Sequence, residues 1–568
     1  MSNTRLRLRL IGTWCGLAVT AFCANLLYAN SIEVANAAVS SRSMLASEAG
    51  VAAMRAGGNA IDAAVATAFT LAVTYPSAGN LGGGGFAVIR FATGEVFTND
   101  HRERAPSNAT RDMFLDDNGQ YVPDRARRSH LASGVPGSVA GLLDIHERFG
   151  RLSREAVIAR AIELAQDGFP LPADLARQFA SRYDRFNDIP STRKIFYKED
   201  GSLYEEGDVF KQADLAATLS RIAKQGRDGF YLGETADLIV AEMARGDGLI
   251  SKEDLKSYHS VWREPIRGKY RGYEILSMPP PSSGGVLVVQ LLNMLEPYDL
   301  SELGFHTAAS MHLMIEAQRR AYADRAEHLG DPDYYNVPIQ KLISKRYALE
   351  RMSDIGGRAS ISDDVDAGSW LAEPIETTHF SVIDSEGTAV AFTTTINSAY
   401  GSGIVVDGAG FLLNNEMDDF SAKPDTPNMF GLLGDEANAI EPGKRMLSSM
   451  TPTIVTRGDK FVLITGSPGG STIITTTLQV ILNVIDHGFT LDEAVNAARF
   501  HHQWQPNNVR FEAKVRQSVI DELESMGHVN LNSMREGSAI GDANSILKTR
   551  DGITATSDGR NMGGAAGY

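Results

Sequence analysis

Cysteine is almost missing: the 568 residues hold two, Cys15 and Cys23, both near the N-terminus. Beyond them no disulfide, thiol nucleophile or thiolate metal site is available. Basic runs are missing as well. The formal net charge is −16, and outside the extreme N-terminus no lysine–arginine cluster offers a nucleic-acid footprint. No stretch after residue 29 is apolar enough to cross a bilayer. Marks of several chemistries are lacking too. No G-x-S-x-G elbow stands at a strand–helix junction, and "SPGGS" lacks the Gly-Lys-Ser/Thr ending of a phosphate loop. His501 and His502 are neighbours and cannot share a helix face as paired zinc ligands do, so structural packing is the better account of them. There are no internal repeats and no heptads.

What is present is ordinary for a soluble globular chain: 43% hydrophobic and 22% charged residues. Single cores stop growing at roughly 250–300 residues, so two domains or one large layered unit are expected. At the N-terminus Arg5, Arg7 and Arg9 precede a mostly apolar run from Leu10 to Ala29. That is the pattern of a signal peptide over 1–29, with cleavage as late as Ala37 in the A-x-A-like "ANA". Polar Thr13, Thr20 and Asn25 weaken the alternative, an uncleaved anchor. Export to a periplasm or the medium follows.

Along the chain, Ser47–Arg55 has helical spacing and Gly57-Gly58 ends it. Asn59 caps a second, all-apolar helix with Asp62 in a capping-box position, and Pro76 stops it. "GFAVIR" and "GEVFTND" read as a hairpin. A helical pattern dominates from Gly134 to Glu350, interrupted by "PPPSSGG". Residues 352–376 are rich in Gly, Ser and Asp and read as a flexible linker. Then the chain turns β-rich. "TTHFSVID" and "TAVAFTTTIN" flank "SEG", and a turn closed by Asp384 and Gly387 sets Thr393–Thr395 beside Thr377. Further strands are expected at "GAGFLLNN", "TPTIVTRG" and "KFVLITG", the last running through "SPGGS" into the helix "TIITTTLQVILNVIDHG".

Three groups of residues carry chemistry. Thr377-Thr378 suits a strand by β propensity alone. The alternative is a hydroxyl nucleophile whose base is its own α-amino group, which exists only once Glu376–Thr377 is cut. A free α-amine, ordinarily near 7.7–8.0, is suited to that task at neutral pH. "ITGSPGGST" joins a strand, a glycine turn and a helix start, a frame that aims backbone N–H groups at a developing negative charge, though an ordinary tight turn reads the same way. Lastly, Glu416, Asp418 and Asp419 follow an apolar run, Asn397 ends another, Arg102 lies in "NDHRERAP", and Ser448 and Ser449 lie in "KRMLSSMTP". Carboxylates suit an ammonium, and an arginine with two hydroxyls suits a carboxylate, so together they fit a zwitterionic amino acid.

At these residues the sequence resembles the bacterial γ-glutamyltranspeptidases, over about Ala46 to Tyr568. "GGNAIDAAVA", "AGNLGGGGF", "SGVPGSVAG", "PPPSSGG", "YADRAEHLGDPD", "TTHFSV", "LLNNEMDDFS", "LSSMTPTIV", "GSPGGS" and the terminal "AGY" carry the resemblance in order. It implies an α+β fold of the N-terminal-nucleophile hydrolase type, a four-layer α/β/β/α sandwich built jointly from two autoprocessed subunits. The large subunit would span 30–376 and the small catalytic subunit 377–568, held together as a heterodimer. The resemblance makes Thr377 the nucleophile, Thr395 its assistant, and Gly469 and Gly470 the oxyanion hole. It gives Arg102, Ser448 and Ser449 to the substrate α-carboxylate, and Asn397, Glu416 and Asp419 to the α-ammonium, with Glu or Gln used by relatives at 416. Lys423–Asp435 resembles a lid loop, with Phe430 where relatives often carry tyrosine. The implied activity is γ-glutamyl transfer and glutathione hydrolysis, with no cofactor or metal. The rivals are a cephalosporin (glutaryl) acylase, a poly-γ-glutamate hydrolase or ligase, and a non-catalytic exported binding protein for amino acids or peptides.

Overall fold

The computed structural model describes residues 30–360, 362, 377–424 and 426–568; the expected signal peptide and most of the expected linker lie outside them. Two seven-stranded sheets, antiparallel throughout, organise the chain. One runs in the order Gly564–Gly567, Ala38–Ser41, Thr378–Ile383, Ala389–Thr395, Gly84–Arg90, Val96–His101, Val261–Arg263. The other runs Ser31–Val34, Ile553–Ser557, Asn544–Lys548, Lys460–Thr465, Thr453–Arg457, Tyr273–Ser277, Ile266–Tyr270. In both, strands from before and after residue 377 interleave. A break at that point would leave every ladder intact.

Side-chain alternation builds the layers. Phe86 and Val88 point into a core shared with Leu276, Ile454, Ile464 and Ile546 of the opposite sheet. Their neighbours Ala87 and Ile89 point the other way, against the helix Ala60–Thr74 and those around it. On the far side, Ile275, Val455 and Leu463 pack on the helices Gly284–Leu295, Ala308–His328 and Thr472–Ile485. The order is helix, sheet, sheet, helix: the α+β sandwich expected. Each large apolar side chain so buried contributes roughly 1.5–3 kcal/mol, so polar residues on the inner faces stand out. Thr377, His379, Ser381, Thr393 and Thr395 share the parity of Ile383, Ala389 and Ala391, which lie in the inter-sheet core. They therefore face the gap. His379 Nδ1 lies 2.8 Å from Thr393 Oγ1, Ser381 donates to the Asn544 carbonyl at 2.8 Å, and burial holds the imidazole neutral, at about 3.

The local expectations fare unevenly. Asn59 caps Ala60–Thr74, accepting from the Ile61 and Asp62 N–H groups, and Asp62 accepts in return from the Asn59 N–H at 2.8 Å. "GAGFLLNN" is not a strand. Gly408 and Gly410 take φ of +77° and +79°, the chain doubles back, and only Val405 and Leu412 pair. Its apolar residues are buried among the helices instead. The mainly helical stretch 134–350 contains three strands of the two large sheets, between Val261 and Ser277. The first residues of the expected linker are firmly held. Arg320 Nη2 donates to Asp354 (2.8 Å) and Ser360 (3.0 Å), Arg319 donates to Ser362, and His312 Nε2 lies 2.9 Å from the Gly356 carbonyl.

Candidate active site

The site forms where the gap between the sheets opens. Thr378 pairs with Thr394, which sets Thr377 opposite Thr395, and the Gly387 N–H closes the turn on the Asp384 carbonyl at 3.1 Å, as the hairpin pattern predicts. Thr377 Oγ1 donates to Thr395 Oγ1 at 3.3 Å, and the same oxygen accepts the Asn397 N–H at 2.8 Å. Asn397 leaves the strand with φ of +73°, a left-handed turn that asparagine tolerates, and its Nδ2 donates to the Asn415 carbonyl at 2.9 Å.

From the opposite sheet, Lys460–Thr465 runs through a turn into the helix Thr472–Ile485. Gly469 takes φ of +133° and Gly470 +54°. A side chain at 469 would come within 2.3 Å of Thr472 Oγ1, so only glycine fits there. Thr472 N–H and Oγ1 fix the Gly469 carbonyl at 3.0 and 2.9 Å, and Gly470 lines the same pocket as Thr377.

Both signs of charge meet at the other end. Arg102, fully buried, follows Val96–His101; it donates to Glu416, to Asp419 Oδ2 at 2.6 Å and to the Met446 carbonyl at 3.2 Å. Glu416 and Asp419 share one 3₁₀ turn, Glu416–Asp419. Ser448 and Ser449 come from a loop paired with Ser282 of "PPPSSGG". Of the residues singled out in the sequence, Arg102, Thr377, Thr395, Asn397, Glu416, Asp419, Phe430, Ser448, Ser449 and Gly470 all line one pocket with about 280 Å³ of empty space. Gly469 stands one residue behind.

The segment expected to be a lid loop is held against it by hydrogen bonds. Asn428 Oδ1 accepts the Phe430 and Leu432 N–H groups at 3.0 and 3.1 Å, while its Nδ2 reaches Asp419 Oδ1 at 3.1 Å. The Met429 N–H donates to Asp418 at 2.8 Å and Gln503 Nε2 to the Phe430 carbonyl at 3.0 Å. Asp418 thus holds this segment rather than lining the pocket.

Sequence reasoning overlooked Glu103, although it stands inside "NDHRERAP". Its nearer carboxylate oxygen is 3.6 Å from Arg102 Nη1, and neither oxygen has a hydrogen-bond partner; Glu416 Oε2 has none either. Carboxylates are acceptors only, so such oxygens stay orphaned until a proton is held. Burial pushes Glu103 and Glu416 upward against the pull of Arg102. Glu103 rises from its ordinary 4.5 to about 7, so across that window the folded chain keeps a proton that the unfolded chain releases. Stability from this group therefore falls as pH rises through the window. Glu103→Gln is expected to flatten the decline of Tm between about pH 5 and pH 8, measured by thermal unfolding against pH.

Among the described residues one buried group, His312, Glu316 and His528, has the proximity to hold a metal ion. Its chemistry fits poorly. Glu316 is already paired with Arg319 and Arg320, and the two imidazoles bond to each other at 2.8 Å. His501 and His502 are buried on local partners, Thr475, Gln503 and the Asn508 carbonyl.

The gamma-glutamyltranspeptidase family model matches residues 46–568. The chain belongs to that family. It is 47% identical over 537 residues to the glutathione hydrolase proenzyme of Escherichia coli (strain K12), covering 93% of this chain and 91% of that one. A crystal structure of cephalosporin acylase from Bacillus halodurans superposes with a TM-score of 0.83 at 28% identity, covering 95% of this chain and 97% of that chain. One of Helicobacter pylori gamma-glutamyltranspeptidase gives 0.55 at 47% identity, covering 55% and 90%. The family is that of the N-terminal-nucleophile hydrolases, and the four layers described above are its fold. No helix among the described residues is long and apolar enough to cross a membrane.

Proposed function

We propose that this chain is a γ-glutamyltransferase and glutathione hydrolase, made as a precursor that cuts itself between Glu376 and Thr377. One observation carries the reading: a pocket with a paired threonine hydroxyl at one end and both halves of an amino-acid receptor at the other. The large subunit is 30–376 and the small one 377–568, and the interleaved sheets hold them as a heterodimer. The N-terminal pattern supports a location in a periplasm or outside the cell.

In maturation the Thr377 hydroxyl attacks the Glu376 carbonyl, the C–N bond breaks to leave an ester, and water releases the acid. The freed α-amino group is then the base for the same hydroxyl. In turnover Thr377 Oγ1 attacks the γ-carbonyl of glutathione or another γ-glutamyl compound while the α-amine takes its proton. The oxyanion faces the Gly469–Gly470 turn, where a single donor is worth roughly 2.7–4 kcal/mol. The proton passes to the leaving amine as the C–N bond breaks. Water or an acceptor amine then takes the γ-glutamyl group from the ester. Arg102 with Ser448 and Ser449 holds the α-carboxylate; Asn397, Glu416 and Asp419 hold the α-ammonium; Phe430 covers the bound group.

The acylase reading draws on the likeness to the Bacillus halodurans enzyme. Against it stands Asp419, partly buried beside Glu416 and Glu103 around a single guanidinium: an acyl chain without an ammonium brings it no counter-charge. N-terminal sequencing of the smaller chain of the purified protein tests the proposal. The expected start is Thr377-Thr378-His379, with p-nitroaniline released from γ-glutamyl-p-nitroanilide. A protein that never splits, and never turns over, supports a binding-only role.

A further inference from the structure

Arg325 lies in the last turn of Ala308–His328 and is 4% exposed. Several other buried arginines face acids: Arg102 has Glu416 and Asp419, Arg445 has Asp100, and Arg499 has Asp558. Among the described residues no carboxylate comes within ion-pair distance of Arg325. Its Nε donates to Ser283 Oγ at 3.1 Å and its Nη2 to Ser449 Oγ at 3.3 Å. A guanidinium out of water with only neutral partners is costly, and burial pulls its pKa down to about 10. Asp419 acts on it only from beyond ion-pair distance, so an incoming anion would be its first close counter-charge among the described residues.

The hydrogen-bond directions say where that anion sits. Arginine only donates, so Ser449 Oγ accepts from Arg325 and keeps its own proton to give away. No acceptor for that proton is found among the described residues, and Ser449 lines the pocket. Ser283 also accepts from Arg325 and passes its proton to the Ser448 carbonyl at 2.7 Å, where the Ser283 N–H also binds at 2.7 Å. One guanidinium therefore orients both serines. Arg102, by contrast, is occupied by its own acids, and cannot alone supply the charge for an incoming carboxylate.

We propose that Arg325 is a positioning residue for the α-carboxylate of the substrate, acting through the Ser449 hydroxyl and, by way of Ser283, through the Ser448 backbone. This rests on the γ-glutamyl reading above. It places a second positive charge behind Ser449 and makes that hydroxyl an obligatory donor toward the pocket.

The test compares γ-glutamyl-p-nitroanilide with 4-aminobutyryl-p-nitroanilide, which lacks the α-carboxylate. Arg325→Gln is expected to raise KM for the first by about 10- to 100-fold, the scale of a lost charge-assisted hydrogen bond. Its kcat is expected to stay within about threefold, and its constants on the second substrate are expected not to move. Arg325→Lys should recover part of the loss. In a Ser449→Ala background Arg325→Lys should cost less than it does alone, since only the route through Ser283 is left to lose; this arm serves if Arg325→Gln does not mature. Equal effects on both substrates, or independent effects of the two substitutions, overturn the proposal. A wild-type enzyme that treats the two substrates alike overturns the γ-glutamyl reading itself; discrimination retained in Arg325→Gln overturns this inference alone.

Discussion

Thr377→Ala is expected to leave one uncut chain with no measurable turnover. On the proposed mechanism the substitution removes the atom that attacks both the Glu376 carbonyl and the substrate, so maturation and catalysis fail together. Deleting a nucleophile from a hydroxyl-based hydrolase costs on the order of 10⁵–10⁶ in kcat. The folded state should barely notice. Thr377 makes one side-chain hydrogen bond, 3.3 Å to Thr395, in a position already buried, and such a bond is worth roughly 0.5–1.5 kcal/mol net. Denaturing electrophoresis, thermal unfolding and p-nitroaniline release separate these outcomes. Thr377→Ser, which keeps the hydroxyl and the α-amine, is expected to split and to retain activity. An uncut Thr377→Ala preparation that still turns over γ-glutamyl-p-nitroanilide would remove the α-amine mechanism.

The hairpin that positions Thr377 was legible because its determinants are local: two alternating strands and a turn whose carboxylate, Asp384, accepts the Glu386 and Thr388 N–H groups at 3.0 and 2.9 Å. Register follows from such a turn, and one slip would face Thr377 to the helices instead of the gap. The Asn59 cap and the glycine turn before Thr472 are local in the same way. "GAGFLLNN" misled because its apolar residues satisfy either a strand or a buried loop, and the choice is made by two glycines with positive φ. The strands between Val261 and Ser277 were hidden in a mostly helical stretch.

The site itself was legible as residue types but not as contacts. Arg102 meets Asp419 across 317 positions of chain, and Arg325 meets Ser449 across 124. Nothing local signals either. Glu103 and Arg325 stood inside segments already singled out, and were passed over because a charged residue in a loop or helix end is usually solvated. Only burial distinguishes them.

Asp419→Asn is expected to invert the enzyme's choice between acyl groups while leaving the Thr377 chemistry in place. In the free protein one Asp419 oxygen takes Arg102 at 2.6 Å and the other takes Asn428 of the lid at 3.1 Å. An α-ammonium entering the pocket therefore meets a carboxylate already fixed in place. Removing one partner of a buried charge pair costs roughly 2–5 kcal/mol. On γ-glutamyl-p-nitroanilide kcat/KM should fall by about 30- to several-thousand-fold. Glutaryl-p-nitroanilide has no ammonium to lose, so its kcat/KM should change by less than about threefold, or rise as one unmatched carboxylate disappears. Ser448, Ser449 and Arg102 are left in place, so the carboxylate end of either substrate is still held. The ratio of the two rates is the quantity to follow, because a general loosening of the pocket lowers both and leaves it unchanged. An unchanged ratio in a variant that still cuts itself would mean that Asp419 serves Arg102 and the lid, and that the ammonium is read elsewhere.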